Sequence, residues 1–462
     1  MTDYLTLIYR LTLKYQGHFG NAWWYSLVHE KNPLKSCLYH SLMTGVDRGG
    51  RLLILKSFLS AVRKYLVFLL RYFIVVRRCP DTMAENLIVT YWGFLQLPTL
   101  PSSQVIVMPQ RNDWGKYSKL EEVVLLDEFI SWKDFFIVLV KYFRTLAIFL
   151  RLNRDMQGYF SDLVGSYSFK GGGKGSFKQE LWYSFAGGTL VEGLFYEQIF
   201  TTISRKFPKA KKIIYVYEGM AWEKALCLAF KKAKKVGVVC SAPCLTNYLY
   251  RREEAELMPS PDFLGTPGHS AFRVMKGVFG EKVFVLGVKD SRRAIIEEWM
   301  SETAPLKTVD ILILLSSSEE VGKEVIDFVR EGLKGVPLAV MVRRHPDCYT
   351  DYGPFPYTLA MEELELSLST ARSVVATDST AVIEAAILGT PVVLPKLPSF
   401  AYSCPVSDGQ FVTQVDSPGD FLNVVDRLMN RPPLDLEVRK QLMSYYFTFR
   451  TEEEMVERLL KV

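Results

Sequence analysis

The stretch SVVATDSTAVIEAAILGTPVVLPK, residues 373–396, leaves the chain few ways to fold. Val374-Val375-Ala376 is a short apolar run of the kind a strand buried on both faces shows. Asp378, Ser379 and Thr380 then offer three small polar side chains, good N-cap chemistry for a helix over 381–388. Gly389 falls where a left-handed C-cap belongs, and Pro391 opens a second strand at Val392–Leu394. Strand, turn, helix and strand predict a βαβ unit in a parallel sheet. A helix that starts directly after a strand points unpaired N–H groups and a positive dipole end at the sheet's ligand edge. The Ser379 and Thr380 hydroxyls beside those groups suit a phosphate, and Glu384, one turn later, suits a ribose diol. The same residues also fit an ordinary βαβ unit whose hydroxyls only cap a helix.

The rest of the chain keeps the same beat. Beyond a Pro/Gly-rich stretch at 259–268, which reads as an interdomain linker, strands are predicted at 282–288, 310–315, 338–343, 374–377 and 392–394. Helices fill the intervals at 290–302, 319–333, 358–370 and 380–388. Upstream, strands are expected at 86–91, 104–108, 122–126, 212–217 and 236–240. At 462 residues the chain is too long for one ordinary core. The expected fold is α/β, with two Rossmann-like, doubly wound domains over 81–268 and 269–435. A helical extension over 1–80 precedes them, and a C-terminal helix within 436–462 is expected to return toward the first domain.

Composition narrows the class. Hydrophobic residues at 49% and aromatics at 13% exclude a largely disordered chain. Seven cysteines without a CxxC pair or zinc spacing fit free thiols in a reducing cytoplasm. Asp3, Arg10 and Lys14 interrupt any signal-peptide core, so none is expected. No apolar run reaches the roughly 20 residues of a spanning helix. The net charge of +6 is unevenly spread, because residues 1–80 hold 12 Lys/Arg against 3 Asp/Glu. Segments 51–78 and 129–152 set Lys56, Arg63, Arg71, Lys133, Lys141 and Arg144 along helices otherwise rich in Leu, Phe, Ile and Val. Such stripes fit helices lying on an anionic membrane surface, or buried domain helices whose Lys and Arg reach the rim. No nucleic-acid partner is expected, since no recognition motif accompanies the charge.

Residues able to carry chemistry gather after predicted strands. In the second half these loops hold Lys289, Arg292 and Arg293; Ser316, Ser317 and Ser318; Arg343, Arg344, His345 and Pro346; and Asp378, Ser379 and Thr380. The carboxyl ends of parallel strands form the ligand edge of an open α/β sheet. Cations, hydroxyls and a His held by the following Pro predict an anion there, most simply a nucleotide phosphate. In the first half, YVYEGMAWEKAL (215–226) puts Glu218 at a strand end before Gly219 and a helix. A carboxylate so placed can act as a general base, and Glu223, one turn on, can orient it or pair with Lys224. The Gly-rich segment 165–188 lacks the GK[ST] ending of a phosphate loop, so it is expected to be a flexible loop near the substrate.

These motifs and their order resemble those of GT-B glycosyltransferases, and more narrowly the bacterial CMP-sugar-dependent sialyltransferases and Kdo transferases. That group carries a D/E-D/E-G motif with the catalytic base, an HP motif for the CMP phosphate and a paired Ser/Ser-Thr motif. The matching residues are Tyr217-Glu218-Gly219, His345-Pro346 and Ser379-Thr380. Tyr217 stands where the motif often has a second acid, which leaves the base on Glu218 alone. The chain is also similar to a surface carbohydrate biosynthesis family through WW...EKNP, YEGMAWEKAL and RHP...TDSTAVIEA...GTPVV. The resemblance implies inverting transfer from a CMP-activated, sialic acid- or Kdo-like sugar to a surface glycan, with a lipid-linked acceptor. It implies a cytoplasmic enzyme at the inner membrane face, with no cofactor and, lacking a DxD pair at a strand end, no metal.

Three rivals remain at this point. A CDP-glycerol-type glycerophosphotransferase shares the HP and TD-x-S turns but needs a His in the first half, where His18, His29, His40 and His269 sit poorly. A UDP-GlcNAc 2-epimerase-like enzyme would have a Gly pair where Thr380-Ala381 stands. A non-catalytic, membrane-associated partner in glycan assembly would keep the fold without the chemistry.

Overall fold

The predicted apolar runs form two parallel sheets in a computed structural model. It describes residues 2–26, 36–46, 53–75, 82–91, 98–108, 123–239, 251–289, 291–300, 306–316, 318–345, 357–377, 379–398, 400, 406, 411–431 and 434–462. The chain starts with helices α1 (Thr2–Phe19), α2 (Cys37–Thr44) and α3 (Leu53–Ile74). Strands β1 (Asn86–Tyr91), β2 (Ser103–Met108) and β3 (Val123–Leu125) follow, then helices α4 (Trp132–Val164), α5 (Lys174–Phe185) and α6 (Gly188–Lys206). The first sheet is completed by β4 (Lys212–Val216), α7 (Ala221–Ala229), β5 (Lys234–Val238), α8 (Arg252–Leu257), β6 (Phe263–Thr266), α9 (His269–Phe279) and β7 (Val283–Val285). Its strand order is β3-β2-β1-β4-β5-β6-β7, with every neighbour parallel.

Strand alternation sorts the side chains of this sheet. Leu87, Val89, Ile213 and Tyr215 face one core, which also takes in α1, Trp23, α3, α4, α5 and α6. Ile88, Ile214 and Val216 face the other, against Met455 and Leu459. The described part of residues 1–80, expected as a helical extension, is helical and packs into the same core as the sheet, which makes it part of the first domain. The expected linker at 259–268 is overturned. It contains β6, and the strand predicted at 282–288 joins the first sheet as β7, so that sheet extends well past 268. Gly265, one of the Pro and Gly residues that suggest a linker, lies inside β6. A Cβ there would come within 3.0 Å of the Leu286 Cβ, so the glycine serves a close approach and not a turn.

A two-residue strand, β8 (Val288–Lys289), leads into α10 (Ser291–Met300) and the second sheet. That sheet holds β9 (Val309–Leu314), α11 (Glu319–Gly332), β10 (Val340–Arg343), β11 (Thr358–Leu359), α12 (Leu364–Thr370), β12 (Ala371–Val375), α13 (Ala381–Ile387), β13 (Val392–Pro395), β14 (Val412–Val415) and α14 (Pro418–Met429). The order β11-β10-β9-β12-β13-β14 is again parallel throughout. Ile311 and Ile313 face α11 and α14, while Leu312 and Leu314 face α10, α13 and α15 (Leu436–Tyr446). Beyond α15, β15 (Phe449–Arg450) pairs with β8, and α16 (Glu452–Lys461) lies on the first sheet. The chain thus passes between the sheets twice, and its two crossings hydrogen-bond to each other. This is the doubly wound, two-domain α/β architecture expected from the sequence.

The Gly-rich segment 165–188 is no open loop. Lys174–Phe185 is helical, and Gly171 and Gly173 before it lie against α2 and its C-cap, where a Cβ on Gly171 would meet the Gly45 Cα at 2.8 Å. Lys170 N–H donates to the Leu42 carbonyl at 3.1 Å. Gly171 lets two backbones touch, and a Cβ on Gly173 would meet the Leu42 and Leu38 side chains.

Candidate functional site

Both sheets reverse direction in their strand order, the first between β1 and β4 and the second between β9 and β12. At such a point the connections leave to opposite sides and open a crevice at the carboxyl edge. The predicted residues fall there. Glu218 follows β4, and Ser316 and Ser379-Thr380 follow β9 and β12. Arg344 and His345 follow the adjacent β10, whose Arg343 is in register with Leu314. Neighbouring strands lie about 4.8 Å apart, so the loops after β10, β9 and β12 share one short edge of the second sheet.

The turn after β4 is built around Glu223. Its carboxylate accepts the N–H of Glu218 at 2.8 Å and of Gly219 at 3.0 Å. Gly219 has φ +78°, a conformation other residues enter only with strain. The α7 helix that carries Glu223 is thereby tied back to the strand end that carries Glu218. Glu223 is 1% exposed, and burial pushes its carboxyl well above the usual range, against the backbone donors that favour the charged form. The nearby Glu218 pushes it further up. Of the two roles expected for Glu223, orienting the turn is the one this geometry serves. Glu218 itself remains partly accessible.

At the second sheet, Ser316 accepts from Ser318 N–H at 3.2 Å, and Ser318 caps α11 by accepting from Val321 N–H. Ser318 with Glu319 and Glu320 behind it is a readable N-cap signal. Ser379 accepts from Ala381 N–H at 3.3 Å at the start of α13, and Thr380 is partly exposed beside it. Glu384 is buried one turn on, at 8% exposure. His345 is partly exposed at the end of β10. The Nε of its neighbour Arg344 is buried without a hydrogen-bond partner among the described residues. Ser317, Pro346 and Asp378 lie outside the described residues.

Other expected residues are drawn elsewhere. Arg343 turns its guanidinium onto the Glu362 carbonyl and Ser367 Oγ, bracing the chain between β11 and α12. Arg293 is exposed on α10 and pairs with Glu297 at 2.8 Å, one helical turn away. Lys289 pairs with Glu452 at 3.2 Å in the crossing between the sheets. The backbone of Arg292 lies in α10, which precedes the second sheet instead of following one of its strands. The reason is that β7 belongs to the first sheet, so this group does not follow a strand of the second.

His40, expected in the helical extension, reaches the second domain. Its ring lies 4.5 Å from that of Phe400, beyond the end of β13. It is 3% exposed, which suits packing more than proton transfer. Among the described residues no group of three or more His, Cys, Asp or Glu side chains is arranged to hold a metal ion.

No protein-family model matches the sequence, and no curated protein matches it. Solved structures share its architecture at low identity. The UDP-GlcNAc 2-epimerase of Methanocaldococcus jannaschii, solved with UDP-GlcNAc and UDP, is 11% identical with a TM-score of 0.44, over 81% of this chain and 99% of that one. The calicheamicin glycosyltransferase CalG4 is 14% identical with a TM-score of 0.38, over 82% and 94%. The wall teichoic acid polymerase TagF is 9% identical with a TM-score of 0.37, over 87% and 97%. Likenesses this distant carry no argument about chemistry.

Proposed function

We propose that the protein is a GT-B glycosyltransferase that moves a sugar from a nucleotide-activated donor to a surface-glycan acceptor. The observation that carries the reading is the pairing of two switch points, one bearing a braced carboxylate and the other cations and hydroxyls. In the reaction, Glu218 takes the proton of an acceptor hydroxyl as that oxygen bonds to the donor's anomeric carbon. The bond from that carbon to the phosphate oxygen breaks, and its electron pair leaves with the nucleotide. His345, Arg344, Ser379 and Thr380 stabilise the charge arriving on the phosphate. The motif resemblance favours CMP as the nucleotide, a sialic acid- or Kdo-like donor sugar, inversion and a lipid-linked acceptor.

Thermal stability with CMP, CDP, UDP and GDP, in wild type and His345→Ala, tests this. A ligand at 100 times its Kd stabilises by about 2.7 kcal/mol. Stabilisation by CMP that His345→Ala abolishes supports the reading. A preference for UDP moves the donor class, toward the epimerase-like alternative or another transferase, and silence toward all four nucleotides puts the non-catalytic partner in glycan assembly in front.

A further inference from the structure

We propose that α3 and α4 together form a face that docks the protein on an anionic lipid bilayer, with both helices in the plane of the interface. The inference is independent of the chemistry above. Among the described residues, large apolar side chains left exposed are concentrated on these two helices. On α3, Leu59, Leu70 and Phe73 are each more than half exposed, and on α4 so are Trp132, Phe136 and Val140. They do not form two separate stripes. The helices lie side by side, with Tyr65 hydroxyl donating to the Phe135 carbonyl at 3.2 Å. An open groove between them is lined by Phe58, Val62, Leu66, Leu139 and Phe143.

Charge frames this surface on both sides. At about 100° per residue, Lys56, Arg63, Lys64 and Arg71 fall on the flank of α3 away from α4. Lys133, Lys141, Arg144 and Arg151 fall on the flank of α4 away from α3. A second groove, of about 580 Å³, is lined by Arg63, Lys64 and Arg71. Some of these cations are matched, Lys64 by Glu192 at 3.0 Å, Arg71 by Asp127 at 3.7 Å and Lys141 by Glu197 at 3.0 Å. Lys56, Arg63, Lys133, Arg144 and Arg151 have no ion pair among the described residues, and all five are exposed.

An apolar centre between two basic rims selects its occupant. A second copy of the same face would set basic rim against basic rim, which is repulsive. An anionic bilayer offers acyl chains to the centre and headgroups to both rims at once, with Trp and Phe at the depth they favour. The buried sides of α3 and α4 hold the domain core, and no described helix is long and apolar enough to cross a membrane. The geometry is that of lying on, not spanning.

The test is flotation of the full-length chain with vesicles of phosphatidylcholine alone, or with about a third phosphatidylglycerol. Each basic residue near an anionic surface adds roughly fivefold to partitioning. Binding is expected only to the anionic vesicles. Lys133→Glu with Arg144→Glu, and separately Phe136→Ser with Val140→Ser, should each lower it by at least tenfold with the melting temperature unchanged. Equal binding to both vesicle types, no binding to either, or binding that both double variants retain would overturn the proposal. Self-association in solution that the Phe136/Val140 variant abolishes, without vesicle binding, would give the face to a second copy. No sugar donor enters the assay, so its outcome is separate from that of the transferase reading.

Discussion

Glu223 holds a buried carboxylate against two backbone N–H groups, and removing it tests the turn that presents Glu218. Glu223→Ala leaves both donors without their acceptor and should cost about 1–3 kcal/mol in urea unfolding. Its activity should fall further than that loss of folded protein accounts for. Glu223→Gln keeps an acceptor oxygen and should lie between wild type and Ala. Gly219→Ala forces φ +78° on a residue with a Cβ and should cost about 1 kcal/mol. Asp127 gives a pH signature. Burial, offset in part by Arg71, pushes its carboxyl up to about 6 from an unfolded value of 3.8. The folded state therefore holds the proton more tightly, and this contribution to stability is full below about pH 4 and lost as pH rises through 6. Asp127→Asn should flatten that part of the stability profile in denaturant titrations at pH 4 to 7. The Glu218 turn was legible because all its parts lie within six residues. Arg343 was not, because the Glu362 carbonyl that takes its guanidinium is set by how β11 and α12 fold back.

At the scale of elements, apolar runs bounded by turn residues were enough to locate most strands. β1 has the bounds expected, and β9, β10, β12 and β13 begin or end within a few residues of theirs. What the runs could not show was membership. The segment at 259–268 is dense in Pro and Gly, and those residues mean a linker or a tightly packed short strand depending on neighbours far along the chain. The same ambiguity covers the glycines before α5. Gly171→Ala would press a methyl onto the Gly45 Cα and the Ser41 carbonyl at 2.8 and 3.0 Å. It should lower stability by about 1–3 kcal/mol, whereas Gly172→Ala, with nothing within 4 Å, should be nearly neutral. A mobile substrate loop would tolerate both, so the pair of melting temperatures separates the two readings.

At the scale of the molecule, α16 closes the second face of a sheet whose first strand lies more than 350 residues earlier. Leu459 is wholly buried against Ile214 and Val216, and Arg458 donates to the Val285 carbonyl at 3.1 Å. Leu459→Ala should cost about 2–5 kcal/mol, and tryptic fragments should show the first domain loosening before the second. This return of the chain could be expected from the sequence only as a direction, since the apolar face of α16 does not name the sheet it covers. The arrangement also orders events during synthesis. Domains commonly fold one after another as the chain leaves the ribosome, but here, among the described residues, the helix that packs on Ile88, Ile214 and Val216 of the N-terminal domain is the last one made. The domain translated first is the one finished last, and a stall in between leaves Ile214 and Val216 without the Leu459 contact that completes their packing.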